Sequence, residues 1–227
     1  MAYFLPDVKG YGSMCRMNKS TKKKGQSELP SCNALYSLLD ERITHPERTK
    51  AIDKQIVKEF QQVRSIFILD MSGFSRLVQR YGIIHYLGMI QRMRQVVGPA
   101  VERNGGVVVK FEADNCFAVF KKPADALAAS FDIHHDLEVA NLMTDDDSDV
   151  YVSIGIGHGP VLLFCEDMYG NELNLASKLG EDVAERGEIL LTDAAKRELR
   201  GKSKATFIAL PLTVSGVNMR AWKVKNK

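Results

Sequence analysis

The stretch Ser-Ile-Phe-Ile-Leu-Asp-Met-Ser-Gly-Phe, residues 65–74, decides the fold. Residues 66–69 are β-branched, aromatic or leucine, which predicts a strand buried on both faces. Ser72 and Gly73 then predict a turn into the helix that follows. Asp70 therefore stands at the end of a buried strand, where its carboxylate is held rigidly and faces outward.

A second aspartate stands in a matching position. Asp114 follows the run Val-Val-Val-Lys-Phe, residues 107–111, which predicts another strand. A lone aspartate at such a place is usually a turn or capping residue. Two carboxylates brought together by neighbouring strands suit hard cations such as Mg²⁺ or Mn²⁺, which keep open positions for substrate phosphates. The pair therefore predicts a metal site.

Composition limits the class of protein. With 227 residues and 45% apolar content the chain can bury a core of domain size. No apolar stretch approaches the roughly 20 residues of a membrane helix, and no secretory signal pattern is present, so we expect a cytoplasmic protein without a membrane span. The four cysteines, Cys15, Cys32, Cys116 and Cys165, lack zinc-site spacing, and we expect reduced thiols.

The net charge of +3 is concentrated at the front of the chain. Residues 1–64 hold 12 of the 31 Lys and Arg residues but only 7 of the 28 Asp and Glu residues. The densest basic cluster, Lys19–Lys24, lies among small polar residues and predicts a solvated arm. It has no interleaved aromatic residues, so we expect no nucleic-acid binding.

The pattern divides the chain into two parts. Residues 1–63 predict an extension with two short helices, Cys32–Arg42 and Lys50–Val63, broken at Pro46. Residues 64–227 predict an α/β sandwich in which strands and helices alternate. The predicted elements are strand 65–70, helices over 73–103, strands 106–112 and 115–120, helix 123–141, strands 150–157 and 160–165, a short helix after Gly170, strand 188–192, helix 193–200, and strands 205–211 and 219–225.

The long helical region has apolar residues at helical spacing, which predicts the face that packs on the sheet. These residues are Ile83, Leu87, Ile90, Val97 and Val101. A later polar cluster begins at Asp167. If a helix starts at Asn171, then Asn174 and Lys178 lie four residues apart on one helix face, so that an amide and a cation point the same way.

These residues, in this order and spacing, resemble the catalytic domain of class III nucleotidyl cyclases, the adenylate and guanylate cyclase family. Asp70 precedes the pair Gly73-Phe74, and Asp114 follows Lys110 by four residues. Asp167 precedes Asn174 by seven residues, and the cation at Lys178 follows four later. The resemblance covers about residues 64–225. It implies an α/β sandwich with a mostly antiparallel, ferredoxin-like sheet and flanking helices.

The resemblance also implies a reaction, in which the 3′-hydroxyl of a nucleoside triphosphate attacks its own α-phosphorus. Two Mg²⁺ or Mn²⁺ ions would be held by Asp70, Asp114 and the backbone carbonyl of Met71, with Gly73 and Phe74 beside the substrate. Such a reaction asks mainly for positioning and charge stabilisation. By the same resemblance, Asn174 orients the ribose and Lys178 stabilises the pentavalent phosphorus.

The resemblance further implies a substrate and an assembly. Lys110 and Asp167 occupy the positions that read adenine in adenylate cyclases, so we expect ATP as the substrate and cyclic AMP as the product. The family works as a head-to-tail dimer with sites at the interface. Because one chain holds all five functional positions, we expect a homodimer with two equivalent sites.

Three departures from the family pattern leave alternatives open. Lys178 stands where the family has arginine, and Arg186 is an alternative cation. The lysine for the terminal phosphates has no clear equivalent, with Lys202 and Lys204 as candidates. Glu112 stands between Lys110 and Asp114 and is interpreted as a partner of the metal site, a residue that touches the base, or an exposed turn residue.

Two other functions remain alternatives on the sequence. The first is a cyclase for another nucleotide, either GTP or a pyrimidine nucleotide as in bacterial antiphage signalling. The second is a degenerate cyclase-like module that binds nucleotide without turnover. Residues 1–63 resemble no sensor domain, and their position ahead of the predicted catalytic domain suggests that they cap the dimer or dock a regulatory partner.

Overall fold

The computed structural model describes residues 31–201, 203–214 and 217–225, so the basic cluster at Lys19–Lys24, Cys15 and Lys202 lie outside the described residues. The strands within these ranges are β1 Gln61–Met71, β2 Val107–Glu112, β3 Asn115–Phe120, β4 Val152–Phe164, β5 Asp167–Tyr169, β6 Ile189–Thr192, β7 Thr206–Val214 and β8 Val217–Lys225. The α-helices are α1 Cys32–Thr44, α2 Thr49–Phe60, α3 Phe74–Tyr81, α4 Ile83–Arg103, α5 Pro123–Asn141, α6 Asn171–Ser177 and α7 Asp193–Glu198.

The strands form one sheet in the order β2-β3-β1-β4-β6-β8-β7, with the short β5 paired to β4. Every pairing is antiparallel except that of β4 with β6. β2 and β7 are therefore the two ends of this order, and β5 is paired with β4 on one side. β2 has a register shift between Val108 and Lys110, and β7 contains Pro211.

The central strand β1 is buried on both faces, as its continuous apolar run predicts. Phe67 and Leu69 face the larger core, which α4 and α5 cover. Ile66 and Ile68 face a smaller core on the other side, which includes Ala176 of α6. The sandwich of helices and sheet thus follows from the alternation of side chains along one strand.

The predicted packing face of the long helix is partly wrong. Ile90, Val97 and Val101 are buried, but Ile83 and Leu87 are about half exposed, because a separate helix begins after Gly82. Tyr86, Met89 and Met93 occupy the buried stripe in their place. No helix in the described ranges is long and apolar enough to cross a membrane.

The prediction of two strands at 150–157 and 160–165 is also wrong. The pair Gly159-Pro160 suggests a turn, yet β4 runs through it and pairs with β1 from Leu162 to Val152. On its other side, β4 pairs with β6 only at residues 154–156 and with β5 only at 162–164. Pro160 therefore has a strand neighbour on one side only, a position that proline tolerates.

The helices α1 and α2 form a small core of their own against the end of β4. Leu35, Leu38, Ile52, Ile56 and Phe60 pack with Phe164. The rings of Phe60 and Phe164 meet edge to face, with their centroids 6.4 Å apart.

This packing overturns the expectation of reduced thiols for two of the four cysteines. It brings the start of α1 to the β4–β5 turn, where Cys32 and Cys165 form a disulfide with their Cα atoms 5.6 Å apart. The two cysteines are 133 residues apart in sequence, a separation that gives no signal of pairing. Cys116 is a free, buried thiol.

Candidate active site

Two aspartates lie at one corner of the fold. One is near the end of a strand and the other is in a turn. Asp70 is the penultimate residue of β1 and is partly buried, and Met71 closes the strand. Asp114 lies in the two-residue turn between β2 and β3, after Ala113, whose φ of 49° is in the left-handed region. The guanidinium of Arg94 donates to the carbonyl oxygen of Ala113 at 2.9 Å and holds this turn against α4.

Several carboxylates lie near one another at this corner, and their negative charges affect pKa values there. Burial, followed by the negative charges of Asp114 and Glu181, raises the pKa of Asp70 to about 7. Burial and then the charge of Asp182 also raise the pKa of Glu181. Carboxylates whose pKa is raised by burial and by neighbouring negative charge, such as Asp70 and Glu181, are stabilised by a bound cation.

The candidate metal site consists of two side chains and one carbonyl. Within the described ranges, no group of three or more His, Cys, Asp or Glu side chains is arranged to hold a metal ion. Asp70, Asp114 and the carbonyl of Met71 provide the oxygen ligands that Mg²⁺ and Mn²⁺ prefer. The donor set therefore fits a site that leaves coordination positions for a substrate.

Tyr86 is a residue of this corner that the sequence did not reveal. Its side chain is fully buried on α4, and its hydroxyl donates to Asp114 Oδ2 at 2.8 Å. Burial and then this hydrogen bond raise the pKa of Tyr86 above its ordinary value. In the sequence, Tyr86 occupies an ordinary position on the buried face of a helix. Nothing about that position predicts a contact with Asp114.

Gly73 and Phe74 connect the aspartate corner to α3. Gly73 precedes the helix with a φ of 98°, a conformation that favours glycine. Phe74 begins α3, and 47% of its surface is exposed. Its ring meets the ring of Tyr86 edge to face at 5.0 Å, so that Phe74, Tyr86 and Asp114 form one connected group.

Lys110 and Asp167 meet across two strands that are distant in sequence. Lys110 Nζ on β2 lies 3.3 Å from Asp167 Oδ1 on β5. Asp167 also accepts hydrogen bonds from the backbone N–H of Met168 and from the hydroxyl of Tyr169. Lys110 Nζ lies over the ring of Phe117, 4.9 Å from its centroid.

Glu112 joins this pair. Its Oε2 lies 2.7 Å from Lys110 Nζ. The hydrogen bond to Glu112 is the largest cause of a raised pKa at Lys110, which partial burial opposes and Asp167 supports. Glu112 is the last residue of β2, its side chain is 65% exposed, and its carboxylate lies beside the Lys110–Asp167 pair.

Asn174 and Lys178 lie one helical turn apart. Asn174 is exposed on α6, and the backbone N–H of Lys178 donates to the carbonyl oxygen of Asn174. At Lys178 the helix changes to a π-helical turn, Lys178–Val183. This turn carries Glu181, one of the charges that raise the pKa of Asp70, and the sequence analysis did not single it out.

α6 lies closely against β4 because the facing strand positions are glycines. A Cβ atom at Gly155 would lie 2.1 Å from the carbonyl oxygen of Ala176 and 2.6 Å from the nitrogen of Gly180. The carboxylate of Glu172 on α6 accepts from Thr192 Oγ1 at 2.8 Å and from the backbone N–H of His158 at 3.2 Å. These contacts fix the helix that carries Asn174.

Two other candidate cations have different surroundings. The guanidinium of Arg186 lies over the ring of Tyr151, 3.1 Å from its centroid. Lys204 lines a cavity of about 510 Å³ with His134, His135 and Lys225. The structure therefore pairs Arg186 with Tyr151 and places Lys204 at a cavity that none of the predicted site residues lines.

Residues 56–225 match the family model described as the adenylate and guanylate cyclase catalytic domain. This match covers well over half of the 227 residues. The chain belongs to this family. The predicted fold class, an α/β sandwich with a mostly antiparallel sheet and flanking helices, is confirmed for the cyclase domain by solved structures of similar architecture.

Three solved structures illustrate that likeness. The adenylate/guanylate cyclase/hydrolase from Silicibacter pomeroyi has a TM-score of 0.65 and 24% identity, covering 74% of this chain and 98% of its own. The adenylyl cyclase CyaB from P. aeruginosa has a TM-score of 0.63 and 18% identity, covering 74% and 96%. The guanylate cyclase domain of RhGC from Catenaria anguillulae, in complex with GTP, has a TM-score of 0.62 and 16% identity, covering 73% and 97%. At these identities the likeness shows the fold.

One curated relative matches the cyclase domain over part of its length. "Putative adenylate cyclase 3" of Rhizobium meliloti (strain 1021) is 22% identical over 148 residues. The alignment covers 65% of this chain and 25% of the relative. The chain therefore spans about a quarter of that protein.

Proposed function

We propose that this cyclase domain converts ATP to 3′,5′-cyclic AMP and pyrophosphate. The observation that carries the proposal is the ion pair of Lys110 Nζ and Asp167 Oδ1, 3.3 Å apart on two different strands. A donor beside an acceptor matches the edge of adenine, on which a ring nitrogen accepts and the neighbouring amine donates. The ring of Phe117 packs under the ammonium group of Lys110 and helps to hold it in place.

Asp70, Asp114 and the Met71 carbonyl are proposed to hold two Mg²⁺ or Mn²⁺ ions. The raised pKa of Asp70, about 7, supports this because it comes from burial and from neighbouring negative charges that a cation would offset. When bound, such ions lower the pKa of the attacking hydroxyl and neutralise charge on the attacking and leaving oxygens.

The residues of the chain position the substrate around this centre. In the reaction, a bond forms between the 3′-oxygen and the α-phosphorus, the bond from that phosphorus to the pyrophosphate oxygen breaks, and the hydroxyl proton is released. Asn174 is proposed to hold the ribose, and Lys178 to offset the charge of the pentavalent phosphorus. Since lysine is a point charge without a bidentate fork, we expect a lower rate than arginine would give.

The proposed assembly is a homodimer with two shared sites. One chain contributes Asp70 and Asp114, while its partner contributes the base-reading pair, Asn174 and Lys178. The exposure of Phe74 and Asn174 supports this arrangement, because it leaves both half-sites open to a second chain. We also propose that the protein is cytoplasmic and that residues 1–63 bind a regulatory partner.

The test is incubation of the purified protein with ATP, GTP, CTP and UTP separately, with Mn²⁺ and with Mg²⁺, and identification of the products by mass. Cyclic AMP is expected to dominate, and Asp114→Ala is expected to abolish it. Asp136→Ala is the matched control, since Asp136 pairs with Arg103 at 2.6 Å on the surface outside the candidate site. Equal product from Asp114→Ala and the unmodified protein would show that the metal assignment is wrong. A protein that binds ATP without turnover would favour the binding module.

A further inference from the structure

Lys110 lies between two carboxylates that reach it from different strands. Glu112 stands two residues further along β2, on the same side of the strand, and its Oε2 is 2.7 Å from Lys110 Nζ. Asp167 reaches the same nitrogen from β5 at 3.3 Å. An ammonium group has three N–H donors, so Lys110 can donate to both carboxylates at once. The cluster therefore presents one donor flanked by two acceptors.

The pair of Lys110 and Asp167 cannot by itself distinguish adenine from cytosine. Both bases present an exocyclic amine, which donates, next to a ring nitrogen, which accepts. Guanine and uracil present a carbonyl and an N–H in those places, so the pair already disfavours them. Adenine and cytosine differ at the third position of the edge, where adenine has a C–H and cytosine has a carbonyl oxygen.

We infer that Glu112 is a specificity-determining residue that rejects cytosine at this third position. This rests on the proposed function, in which Lys110 and Asp167 read the base. The carboxylate of Glu112 repels the cytosine carbonyl, tolerates the adenine C–H, and accepts a hydrogen bond from any amino group placed there. An array of acceptor, donor and acceptor is complementary to adenine, and more fully so to 2,6-diaminopurine.

The position of Glu112 makes the inference testable without damage to the fold. Its side chain is 65% exposed and contributes nothing to the hydrophobic cores. Glu112→Ala removes the charge, and Glu112→Gln replaces one acceptor with an amide that can donate to a carbonyl. Glu166→Ala is the matched control, because it removes an exposed carboxylate next to Asp167 while both ion pairs of Lys110 remain.

The experiment measures kcat/KM for ATP, CTP and 2,6-diaminopurine riboside triphosphate with each protein. The ratio of kcat/KM for ATP to kcat/KM for CTP is expected to fall about fivefold in Glu112→Ala, because one repulsive contact with cytosine is lost. It is expected to fall further in Glu112→Gln, because the amide can also donate a hydrogen bond to the cytosine carbonyl. The unmodified protein is expected to prefer 2,6-diaminopurine to adenine, and Glu112→Ala to lose that preference. Glu166→Ala should keep the unmodified ratios.

Two results would overturn the inference. The first is an ATP to CTP ratio that stays the same in both Glu112 variants. The second is a preference for 2,6-diaminopurine that survives Glu112→Ala, which would show that Glu112 only tethers Lys110. If the unmodified protein forms no product at all, the proposed function fails, and the same ratios are then measured as binding affinities of 3′-deoxy-ATP and 3′-deoxy-CTP, which cannot react.

Discussion

The hydroxyl of Tyr86 donates to Asp114 Oδ2 across 2.8 Å, so that a fully buried side chain of α4 holds a carboxylate of the candidate metal site. Asp114 lies in the two-residue turn between β2 and β3. Groups that orient a ligating carboxylate in this way commonly affect metal affinity as much as some ligands do. Tyr86 is thus the link between the packed core and the candidate site.

Tyr86→Phe is expected to weaken the response to metal while the ring packing on Phe74 remains. The concentration of Mn²⁺ for half-maximal cyclic nucleotide formation should rise about tenfold, and the free energy of unfolding should fall by about 1 kcal/mol. Both are measured on the purified protein, by product formation and by urea unfolding. Tyr151→Phe is the control, because it removes a similar bond to Asp149 at 3.0 Å. An unchanged Mn²⁺ dependence in Tyr86→Phe would reduce the role of Tyr86 to packing.

Gly155→Ala is expected to separate α6 from the sheet. The new methyl group would meet the backbone of Ala176 and Gly180, which cannot turn away as a flexible side chain can. We expect a loss of about 2–3 kcal/mol in the free energy of unfolding, with loss of activity because Asn174 moves with the helix. Gly88→Ala is the control, since nothing lies within 4 Å of its added Cβ in α4. That change should raise stability by about 0.5–1 kcal/mol, and equal effects of the two substitutions would contradict the close approach of α6.

Reduction of the Cys32–Cys165 disulfide is expected to loosen α1 from the end of β4. Closing so long a loop stabilises a fold by about 2–4 kcal/mol in measured cases. Thermal unfolding with and without reductant tests this, and Cys165→Ser should behave like the reduced protein and be insensitive to reductant. Proteolysis without reductant followed by mass spectrometry should yield a linked peptide that contains both cysteines. Its absence from oxidised protein would show that the two thiols stay free.

His134 makes stability depend on pH in a defined direction. Burial lowers its pKa below the ordinary 6.5, with Glu138 opposing. As the pH falls below 6.5 the unfolded chain binds the His134 proton first, so His134 lowers the free energy of unfolding, by at most about 1.4 kcal/mol per pH unit. Asp70, with its pKa raised to about 7, acts in the opposite direction because the folded chain binds that proton first. The contribution of His134 is therefore the difference between the unmodified protein and His134→Gln. Urea unfolding at pH 7.5, 6.5 and 5.5 measures this. His134→Gln should lose less stability over that range, while the exposed His135→Gln should follow the unmodified protein.

Much of the fold could be predicted from local sequence because its signals are local. The helix at 123–141 and the strand at 115–120 occur with the predicted bounds. Errors arose where tertiary context decides, as at Gly159-Pro160, which continues a strand because β1 pairs with it. The disulfide depends on where α1 packs, which no local pattern encodes.

The candidate site likewise contains some residues that the local sequence predicts and others that it does not. Charge and spacing in the sequence predict Asp70, Lys110 and Asp167 as candidate site residues, and the structure brings Lys110 and Asp167 together. The sequence does not predict Tyr86, because its contact with Asp114 depends on one hydroxyl at the end of a buried ring. The contact of Glu112 with Lys110 depends on strand geometry, and the sequence left three interpretations of it open.

The two edges of the sheet have a consequence for how copies of this chain associate. Pro211 removes a backbone donor from β7, and the register shift between Val108 and Lys110 disturbs the ladder of β2. Both features make a strand edge a poor template for another strand. Two chains are therefore expected to meet through side-chain surfaces without forming a continuous intermolecular sheet, and the same features protect the folded protein from edge-to-edge aggregation.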